Sequence, residues 1–308
     1  MTMEPIVNFK SLPERLRKAG RKVTVAVACP ADSHTEEVIE RSIKEDFATF
    51  TLVAVNGKRE VSERLAALYP SHVSIINADD DDDAARKAVA EVKEGNAKVL
   101  MKGTINTDNL LRAVLNKETG ILVKGSVLTH IAVADVPSLG RLLFFTDAAV
   151  IPYPTTEQFD AQAGYIIDTF RSVTGMERPK VALTHCTEKV SEKFPLTLSY
   201  VTLKEHAANG KYGEVDMDGP MDVKTACDAE SGAIKGIASP VVGKADILIF
   251  PDIEAGNTFY KTVTLFAKAT VAGMLAGTTA PVVVTSRADS ADSKFYSLAT
   301  ACIKALNG

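Results

Sequence analysis

The chain has 308 residues, of which 46% are hydrophobic and 24% are charged. This composition is typical of a globular protein and excludes a disordered chain, a collagen-like chain and a disulfide-stapled scaffold. The net charge of −4 shows no basic excess of the kind that nucleic-acid-binding proteins carry. No apolar run approaches the roughly 20 residues that span a bilayer, and the N-terminus lacks a signal-peptide-like core. We therefore expect a cytoplasmic protein with neither a nucleic-acid nor a membrane partner.

The first third of the chain alternates β-rich runs with stretches of helical period. Nearly all residues of the predicted strands are apolar, as in strands buried on both faces, and they lie at residues 23–29, 50–55, 72–76 and 98–103. Strands and helices alternating at this spacing predict a mostly parallel sheet covered by helices. We interpret the acidic run from Asp79 to Asp83 as a loop whose charges favour the N-terminus of the next helix, with a metal site as the alternative.

The middle of the chain breaks this alternation. Residues 127–137 and 141–150 are two successive strand-like runs with a short connection, which predicts an antiparallel pair. We place a domain boundary near residue 135. A helix over residues 157–173 follows, capped by Thr155 or Thr156.

Alternation then resumes to the end of the chain. We predict helices at 197–208, 223–232, 256–275 and 290–307, and strands at 180–184, 245–251 and 281–286. Asp218, Gly219 and Pro220 are expected to form the turn that precedes helix 223–232.

Ligands of open α/β sheets bind where strands end and helices begin, so these junctions supply the candidate site residues. At the first junction, Gly103 allows close backbone approach, and Lys102, Thr104, Asn106 and Thr107 offer donors beside free helix N–H groups. An ordinary helix start is the alternative interpretation. At a second junction, Asp252, Asn257 and Lys261 follow a buried strand, and the last two share one helix face in a pattern suited to phosphate or carboxylate recognition.

A third junction follows the last predicted strand and runs from Ser286 to Lys294. Arg287 can bind two oxygens of a phosphate at once, and Ser286 and Ser290 add neutral donors. Asp289 and Asp292 place two carboxylates in the same turn. Alternatively, Ser290 caps the final helix and Asp292 complements its dipole.

Several other kinds of site are excluded by motif. The sequence contains no GxGxxG, GxxxxGK[ST], HExxH or GxSxG. Its four cysteines are far apart and do not cluster with the histidines, so we expect reduced thiols and no structural zinc or other metal.

Taken together and in order, these segments resemble the phosphate acetyl/butyryl-transferase family, and most of all its butyryltransferase branch. The most specific matches are ADILIFPDIEAGNTFYK and APVVVTSRADSADSKFYSLA, supported by KGTINTDNLLRAVLNKETG, HIAVADVP, LLFFTDAAV and DGPMDVKTA. The resemblance implies reversible acyl transfer between coenzyme A and inorganic phosphate by direct attack in a ternary complex. Butyryl-CoA and phosphate would give butyryl phosphate and coenzyme A. Coenzyme A thus takes part as a reactant and is not a permanently bound cofactor.

The same resemblance implies the fold and the assembly. Two α/β domains with mostly parallel sheets are expected, in an isocitrate/isopropylmalate dehydrogenase-like architecture with the site in the cleft between domains. The first domain would contain residues 1–134 and 276–308, and the inserted second domain residues 135–275. Family members form homodimers, and a small-residue-rich helix over 262–276 is a candidate contact.

The sequence departs from acetyl-type relatives at two positions of the site. Ser286 and Arg287 match their phosphate-binding pair, but the position of their candidate base, seven residues after the serine, is Ser293. Asp292 is the nearest carboxylate and our favoured base, with Asp289 as its rival. Ala148 stands where those relatives have a cysteine, and Lys124 corresponds to a basic residue that contacts coenzyme A.

Three other functions stay open on the sequence. The acyl group could be acetyl, because acyl length is not encoded in any of these motifs. A decarboxylating dehydrogenase would need nicotinamide and spaced metal-binding aspartates, for which Asp246 and Asp252 make a poor set. A non-catalytic acyl-CoA or acyl-phosphate sensor is disfavoured by the intact Ser286–Arg287 pair.

Overall fold

A computed structural model describes residues 4–285 and 289–307 of the chain. These residues form two units. The inserted unit contains Thr129–Val271 together with residues 4–8, and the flanking unit contains Phe9–Leu128 and the described residues from Ala272 onward. Both units are α/β, which confirms the predicted fold class.

The elements alternate along most of the chain. The strands are β1 (Val23–Ala28), β2 (Ala48–Val55), β3 (Val73–Ala78), β4 (Val99–Lys102), β5 (Thr129–Asp135), β6 (Leu142–Thr146), β7 (Lys180–Thr184), β8 (Asp216–Met221), β9 (Ile247–Ile249), β10 (Thr270–Ala276) and β11 (Val282–Val283). The helices are α1 (Leu12–Lys18), α2 (Ser33–Lys44), α3 (Glu60–Leu68), α4 (Asp81–Lys93), α5 (Thr107–Val114), α6 (Thr156–Thr174), α7 (Leu196–Ala208), α8 (Val223–Cys227), α9 (Ala229–Lys235), α10 (Ile253–Leu265) and α11 (Ala291–Asn307). A short 3₁₀ helix, Phe9–Ser11, precedes α1.

The flanking unit is built on a sheet with the strand order β3–β2–β1–β4–β11–β10. Its strand pairs are parallel except for β10 and β11, which are antiparallel. β1 and β4 are buried along almost their whole length, as the continuous apolar runs predict. Ala28 at the end of β1 is level with Lys102 at the end of β4, so the loops that follow these strands start side by side.

The inserted unit has the strand order β5–β6–β9–β7–β8. β5 and β6 are antiparallel, which confirms the predicted break in the alternation, and the remaining pairs are parallel. Helix α6 also begins as predicted. Thr155 accepts a hydrogen bond from the backbone of Gln158, whose side chain in turn accepts one from the Thr155 backbone.

The long helix predicted over 256–275 is wrong. Helix α10 ends at Leu265, and Thr270–Ala276 is the strand β10. Lys268 lies between them with a φ of 54°, a left-handed conformation that no α-helix can contain. The small apolar residues that suggested a helix, and with it a dimer contact, are instead residues of a strand paired within the flanking sheet.

The turn predicted at Asp218, Gly219 and Pro220 is also wrong. These residues lie within β8, the last strand in the sheet order of the inserted unit. Proline lacks an N–H group, and an edge strand is the position in a sheet that tolerates this loss. The helix predicted over 223–232 is divided at Asp228, whose extended backbone ends α8 and begins α9.

The acidic run lies at a helix N-terminus, as expected, but most of it belongs to the helix and not to the loop before it. Asp80 caps α4 by accepting a hydrogen bond from the Asp83 backbone, and Asp81 to Asp83 occupy the first turn. Hydrogen bonds from the Lys87 ammonium, the Asp79 N–H and Arg86 lower the pKa of the buried Asp83 carboxyl to about 2.

The limits of the two units differ from the predicted domain limits by a few residues. The strand β5 lies wholly in the inserted unit, because it pairs with β6. Residues 4–8 belong to the same unit, since the Ile6 N–H donates to the Thr174 carbonyl at 2.9 Å. That the two units are independent domains stays a prediction. None of the helices within the described ranges is long and apolar enough to cross a membrane.

Candidate active site

The ends of β1 and β4 form a close backbone junction in the flanking unit. The Gly103 and Thr104 N–H groups donate to the carbonyls of Ala28 and Cys29, at 2.9 and 2.8 Å. The Thr104 hydroxyl also donates to the Cys29 carbonyl at 3.0 Å. A Cβ atom at Gly103 would lie 2.2 Å from the Cys29 carbonyl oxygen, so only glycine fits this crossing.

Helix α2 begins beside the same strand ends. Asp32 caps it by accepting hydrogen bonds from the Thr35 N–H at 3.0 Å and the Thr35 hydroxyl at 2.6 Å. The helix is 12 residues long, and the positive end of its dipole lies at this junction. The chain therefore enters the helix with its N-terminal N–H groups near the edge of the sheet where ligands bind.

These two features border a pocket of about 220 Å³ in the flanking unit. Its walls come from the start of α2, the β4–α5 loop, the segment after β11 and the first turns of α11. The lining residues are Asp32, His34, Thr35, Lys102, Gly103, Thr104, Thr285 and Lys294. Three of the residues proposed from the sequence, Lys102, Thr104 and Lys294, thus share one cavity.

Two buried ammonium groups dominate the charge of this pocket. Lys102 and Lys294 are each only 6% exposed, whereas lysine is almost never buried without an anionic partner. The one carboxylate among the described lining residues is Asp32, so the two cations outnumber it. A small cavity with buried positive charge, the hydroxyl of Thr285 and a helix N-terminus is suited to a phosphate group.

The two lysines differ in what holds them. The Lys102 ammonium donates to the backbone carbonyls of Gly103 at 3.2 Å and Ile105 at 3.1 Å, and so pins the β4–α5 loop. Lys294 acts on Asp32 through its charge. Burial works to raise the pKa of Asp32, but hydrogen bonds from Thr35 and the charge of Lys294 outweigh it, so the pKa lies below its ordinary value. Asp32 is therefore ionised at neutral pH.

The remaining residues of the last junction have varied positions. Ser286 and Arg287, the proposed phosphate-binding pair, follow Thr285 directly but lie outside the described residues. Ser290 caps α11 by accepting a hydrogen bond from the Ser293 N–H at 3.1 Å. Asp289 is partly buried just before this helix.

Asp292, the favoured base, lies on the surface in the first turn of α11. Its side chain is 61% exposed, and its Oδ1 is 2.6 Å from Nη1 of Arg41 on α2. The Arg41 guanidinium in turn lies over the ring of Phe295, 3.7 Å from its centroid. Asp292 is not among the described residues that line the pocket.

The other residues proposed from the flanking unit lie at loop and helix ends. Asn106 is the N-cap of α5 and Thr107 its first helical residue, which agrees with the alternative interpretation of an ordinary helix start. Lys124 is exposed in the turn between Val123 and Ser126, where the Ser126 N–H donates to the Val123 carbonyl.

The second proposed junction lies in the inserted unit. Asp252 caps α10 by accepting from the Ala255 N–H at 2.7 Å, and the Asn257 amide donates to the Ala148 carbonyl at 2.9 Å. Lys261 is exposed, with its ammonium 4.6 Å from the centroid of the Tyr260 ring. Two of these three residues therefore have local structural roles, and Lys261 presents its charge at the surface.

Sequence reasoning missed Asp32, His34 and Thr35 of the pocket. A signal existed, because an aspartate with a threonine three residues later, following a buried strand, is a helix cap at a strand's carboxyl end. It also missed the buried Asp147 of the inserted unit. This carboxylate accepts hydrogen bonds from the Thr129 hydroxyl and from the N–H groups of residues 130, 149, 150 and 151, at 2.8–3.2 Å.

Metal ligands do not cluster in the part of the chain that the structure describes. No group of three or more histidine, cysteine, aspartate or glutamate side chains there could hold an ion. All four cysteines are free thiols, two of them buried.

Comparison with known proteins identifies similar sequences over almost the whole chain. A family model described as "Phosphate acetyl/butaryl transferase" matches residues 81–302. The chain is 37% identical to the phosphate butyryltransferase of Clostridium beijerinckii, over 97% of this chain and 98% of the relative. It is 35% identical to the phosphate acetyltransferase of Thermotoga maritima, over 96% of this chain and 99% of the relative.

Solved structures give the same picture. A branched-chain phosphotransacylase from Enterococcus faecalis superposes with a TM-score of 0.80 at 30% identity, covering 93% of this chain and all of the other. A 4-hydroxythreonine-4-phosphate dehydrogenase from Klebsiella pneumoniae, 14% identical, has a TM-score of 0.52 over 92% of this chain and 99% of the other. This second likeness concerns the fold alone and agrees with the predicted dehydrogenase-like architecture.

Proposed function

Because the chain belongs to the phosphate acetyl/butyryl transferase family, we propose that it catalyses reversible acyl transfer between coenzyme A and inorganic phosphate, with butyryl as its acyl group. The protein is an enzyme of the phosphate acyltransferase class. Its butyryl specificity is our inference from the branch to which the sequence is most similar. Acetyl-CoA is the alternative substrate, since a phosphate acetyltransferase is similar to nearly the same degree.

The observation that carries this proposal is the pocket of the flanking unit. It offers buried ammonium groups from Lys102 and Lys294, hydroxyls from Thr104 and Thr285, and the N-terminus of α2. Phosphate is a substrate in one direction of the reaction and the leaving group in the other, so a phosphate-binding site is needed in both directions. Arg287 and Ser286 follow Thr285 in the sequence, and we propose that they complete this site with a bidentate guanidinium contact and a hydroxyl.

The chemistry that we propose is direct attack within a ternary complex. Coenzyme A carries its own thiol, so no covalent acyl-enzyme is needed. Holding the thiol and the acyl phosphate face to face can lower the barrier by about 7–11 kcal/mol. Ser286 would donate to the carbonyl oxygen as negative charge develops on it, which is the role of an oxyanion hole. The Thr104 hydroxyl would join it by exchanging its bond to the Cys29 carbonyl for one to the substrate oxygen.

Contacts to the rest of coenzyme A would come from polar residues away from this pocket. We propose this role for Lys124, Asn106, Thr107 and Ser290 of the flanking unit. In the inserted unit we propose the same role for Asp252, Asn257 and Lys261. The exposed ammonium of Lys261 is suited to a phosphate group of coenzyme A.

We further propose a cytoplasmic homodimer with no metal requirement and no permanently bound cofactor. The homodimer rests on family membership, because the segment that suggested a helical contact from the sequence is largely a strand.

The sequence offers Asp289 and Asp292 as candidate bases. The exposure of Asp292 and its ion pair with Arg41 weigh against it.

A turnover assay tests the proposed function directly. Purified protein would be mixed with butyryl-CoA and phosphate, and released thiol would be followed with a chromogenic disulfide. We expect thiol release that depends on phosphate, and faster release from butyryl-CoA than from acetyl-CoA at equal concentration. Binding of acyl-CoA without phosphate-dependent release would instead identify a sensor, and preference for acetyl-CoA would identify the alternative substrate.

A further inference from the structure

The proton balance of the proposed reaction requires a group that acts on phosphate. When the coenzyme A sulfur attacks the acyl carbon, an S–C bond forms and the C–O bond to the phosphate breaks. The electron pair of the C–O bond goes to the oxygen that remains on phosphorus. Unless this oxygen gains a proton, an acyl phosphate dianion must release phosphate as a trianion, which is a very poor leaving group at neutral pH.

Most polar groups near this position are unsuited to give that proton. Asp32 has a lowered pKa and is ionised, so it holds no proton at neutral pH. A guanidinium such as that of Arg287 keeps its protons throughout the accessible pH range. The threonine hydroxyls of the pocket are too weakly acidic. Lysine differs from arginine in this respect, because its ammonium can release a proton and serve in acid–base catalysis.

Of the two lysines in the pocket, Lys102 is already engaged. Its ammonium donates to the carbonyls of Gly103 and Ile105, which fixes the β4–α5 loop. Lys294 is buried to the same extent and lines the same cavity, but its ammonium makes no hydrogen bond or ion pair within 4 Å to any residue in 4–285 or 289–307. A buried ammonium without such a partner is costly unless an anion reaches it.

The surroundings of Lys294 supply charge of both signs. Asp32 and His34 border the pocket from α2, and Lys102 borders it from β4. On its own helix, the nearest described carboxylate, Asp292, is paired with Arg41. Among the described lining residues, His34 is the one other group that could transfer a proton, and its side chain is exposed to solvent whereas that of Lys294 is enclosed.

We propose that Lys294 is the general acid and base of the reaction, which protonates the leaving phosphate oxygen in one direction and deprotonates the attacking phosphate in the other. In the first direction its Nζ gives a proton to the departing oxygen, and the resulting amine takes up the proton of the coenzyme A thiol. The products are the thioester and hydrogen phosphate, and Lys294 ends as it began. This inference rests on the proposed function and assigns a catalytic role to a residue that would otherwise only bind phosphate.

Lys294→Arg is the decisive variant, because it keeps the positive charge and loses the transferable proton. We expect the KM for phosphate to change by only a few-fold and kcat to fall by about 10²–10⁴-fold, the usual contribution of general acid–base catalysis. A kcat within about three-fold of the wild type, in a variant that is folded by circular dichroism, would overturn the proposal.

Lys294→Ala with added amine provides a test that does not depend on fitting a guanidinium into the pocket. Removing the side chain leaves space for a small primary amine, so methylamine or ethylamine should restore turnover in proportion to its concentration. Lys102→Ala is the matched control, equally buried in the same pocket. The same amines should not restore it, because the Lys102 ammonium acts on backbone carbonyls.

Two results separate this inference from the proposed function. Wild-type protein without any phosphate-dependent thiol release would overturn the proposed function and this inference together. Normal wild-type turnover, with no amine rescue of Lys294→Ala or with equal rescue of Lys102→Ala, would overturn the role of Lys294 alone.

Discussion

Replacing Gly103 by alanine tests the geometry of the pocket. The new methyl carbon would lie 2.2 Å from the Cys29 carbonyl oxygen, 2.6 Å from the Cys29 carbonyl carbon and 2.7 Å from the Ala28 carbonyl oxygen. All three atoms are backbone and cannot rotate away, so the ends of β1 and β4 must separate. Overpacking of this kind costs about 1–3 kcal/mol, and the backbone origin of the clash favours the upper end.

Thermal unfolding followed by circular dichroism measures this loss. Each kcal/mol lowers the melting temperature by roughly 2–4 °C in a unit of this size, so we expect Gly103→Ala to melt several degrees below the wild type. Because the displaced loop also carries Lys102 and Thr104, the KM for phosphate should rise in the same variant.

Gly164→Ala is the matched control for this experiment. Gly164 lies in the middle of α6, and a Cβ atom there would meet nothing within 4 Å. Alanine in a helix interior is about 0.5–1 kcal/mol more favourable than glycine, so this variant should melt at or above the wild-type temperature. If Gly103→Ala were as stable as Gly164→Ala, the close crossing of β1 and β4 would be refuted.

Three further predictions concern single side chains. Arg287→Lys should lower kcat/KM for phosphate about ten-fold or more while thermal stability stays near the wild type, because an ammonium cannot reproduce a bidentate contact; unchanged kinetics in the same assay would remove Arg287 from the site. A base role for Asp292 requires Asp292→Asn to lower kcat by about 10²-fold, whereas its exposed pair with Arg41 predicts near-normal turnover and a loss of at most about 1 kcal/mol in urea unfolding; we expect the second result. The folded-state pKa of Asp83, about 2, lies below its unfolded value, so its stabilising contribution is present above about pH 4 and disappears as the pH falls toward 2. The difference in the free energy of unfolding between wild type and Asp83→Asn should therefore shrink over that range, and a constant difference would contradict the shift.

The strand and helix pattern of this chain could be predicted wherever local signals agreed. β1, β2 and β4 are largely apolar runs separated by amphipathic stretches, and α6 carries a complete capping box. The prediction failed at residues 270–276, where small apolar residues suit a helix and a buried strand equally well. The deciding feature there is the left-handed backbone at Lys268, which no residue type in the sequence reveals.

The candidate site was less predictable, because the order of strands in the sheet decides which junctions meet. In the sheet, β4 lies between β1 and β11, although these neighbours are far from it in the sequence. β1 begins at residue 23, β4 at residue 99 and β11 at residue 282. The junctions after β4 and β11 could be predicted from their glycine, threonine and arginine residues, whereas no site residue was predicted after β1. The place of Asp32 in the pocket depends on the pairing of β1 with β4, which the sequence does not show.

The chemical character of Lys294 follows from this same arrangement. In the sequence, Lys294 is one of 35 basic residues and follows Arg287, the better phosphate ligand by residue type, by seven positions. Lys294 becomes buried near Asp32 and Lys102 only in the folded unit, where the first turns of α11 and the start of α2 line the same pocket. An arginine can bind phosphate but cannot transfer a proton, whereas an enclosed lysine can do both. A site that must both bind phosphate and change its protonation state needs the two residue types together, and this pocket brings a lysine to the junction that carries the arginine.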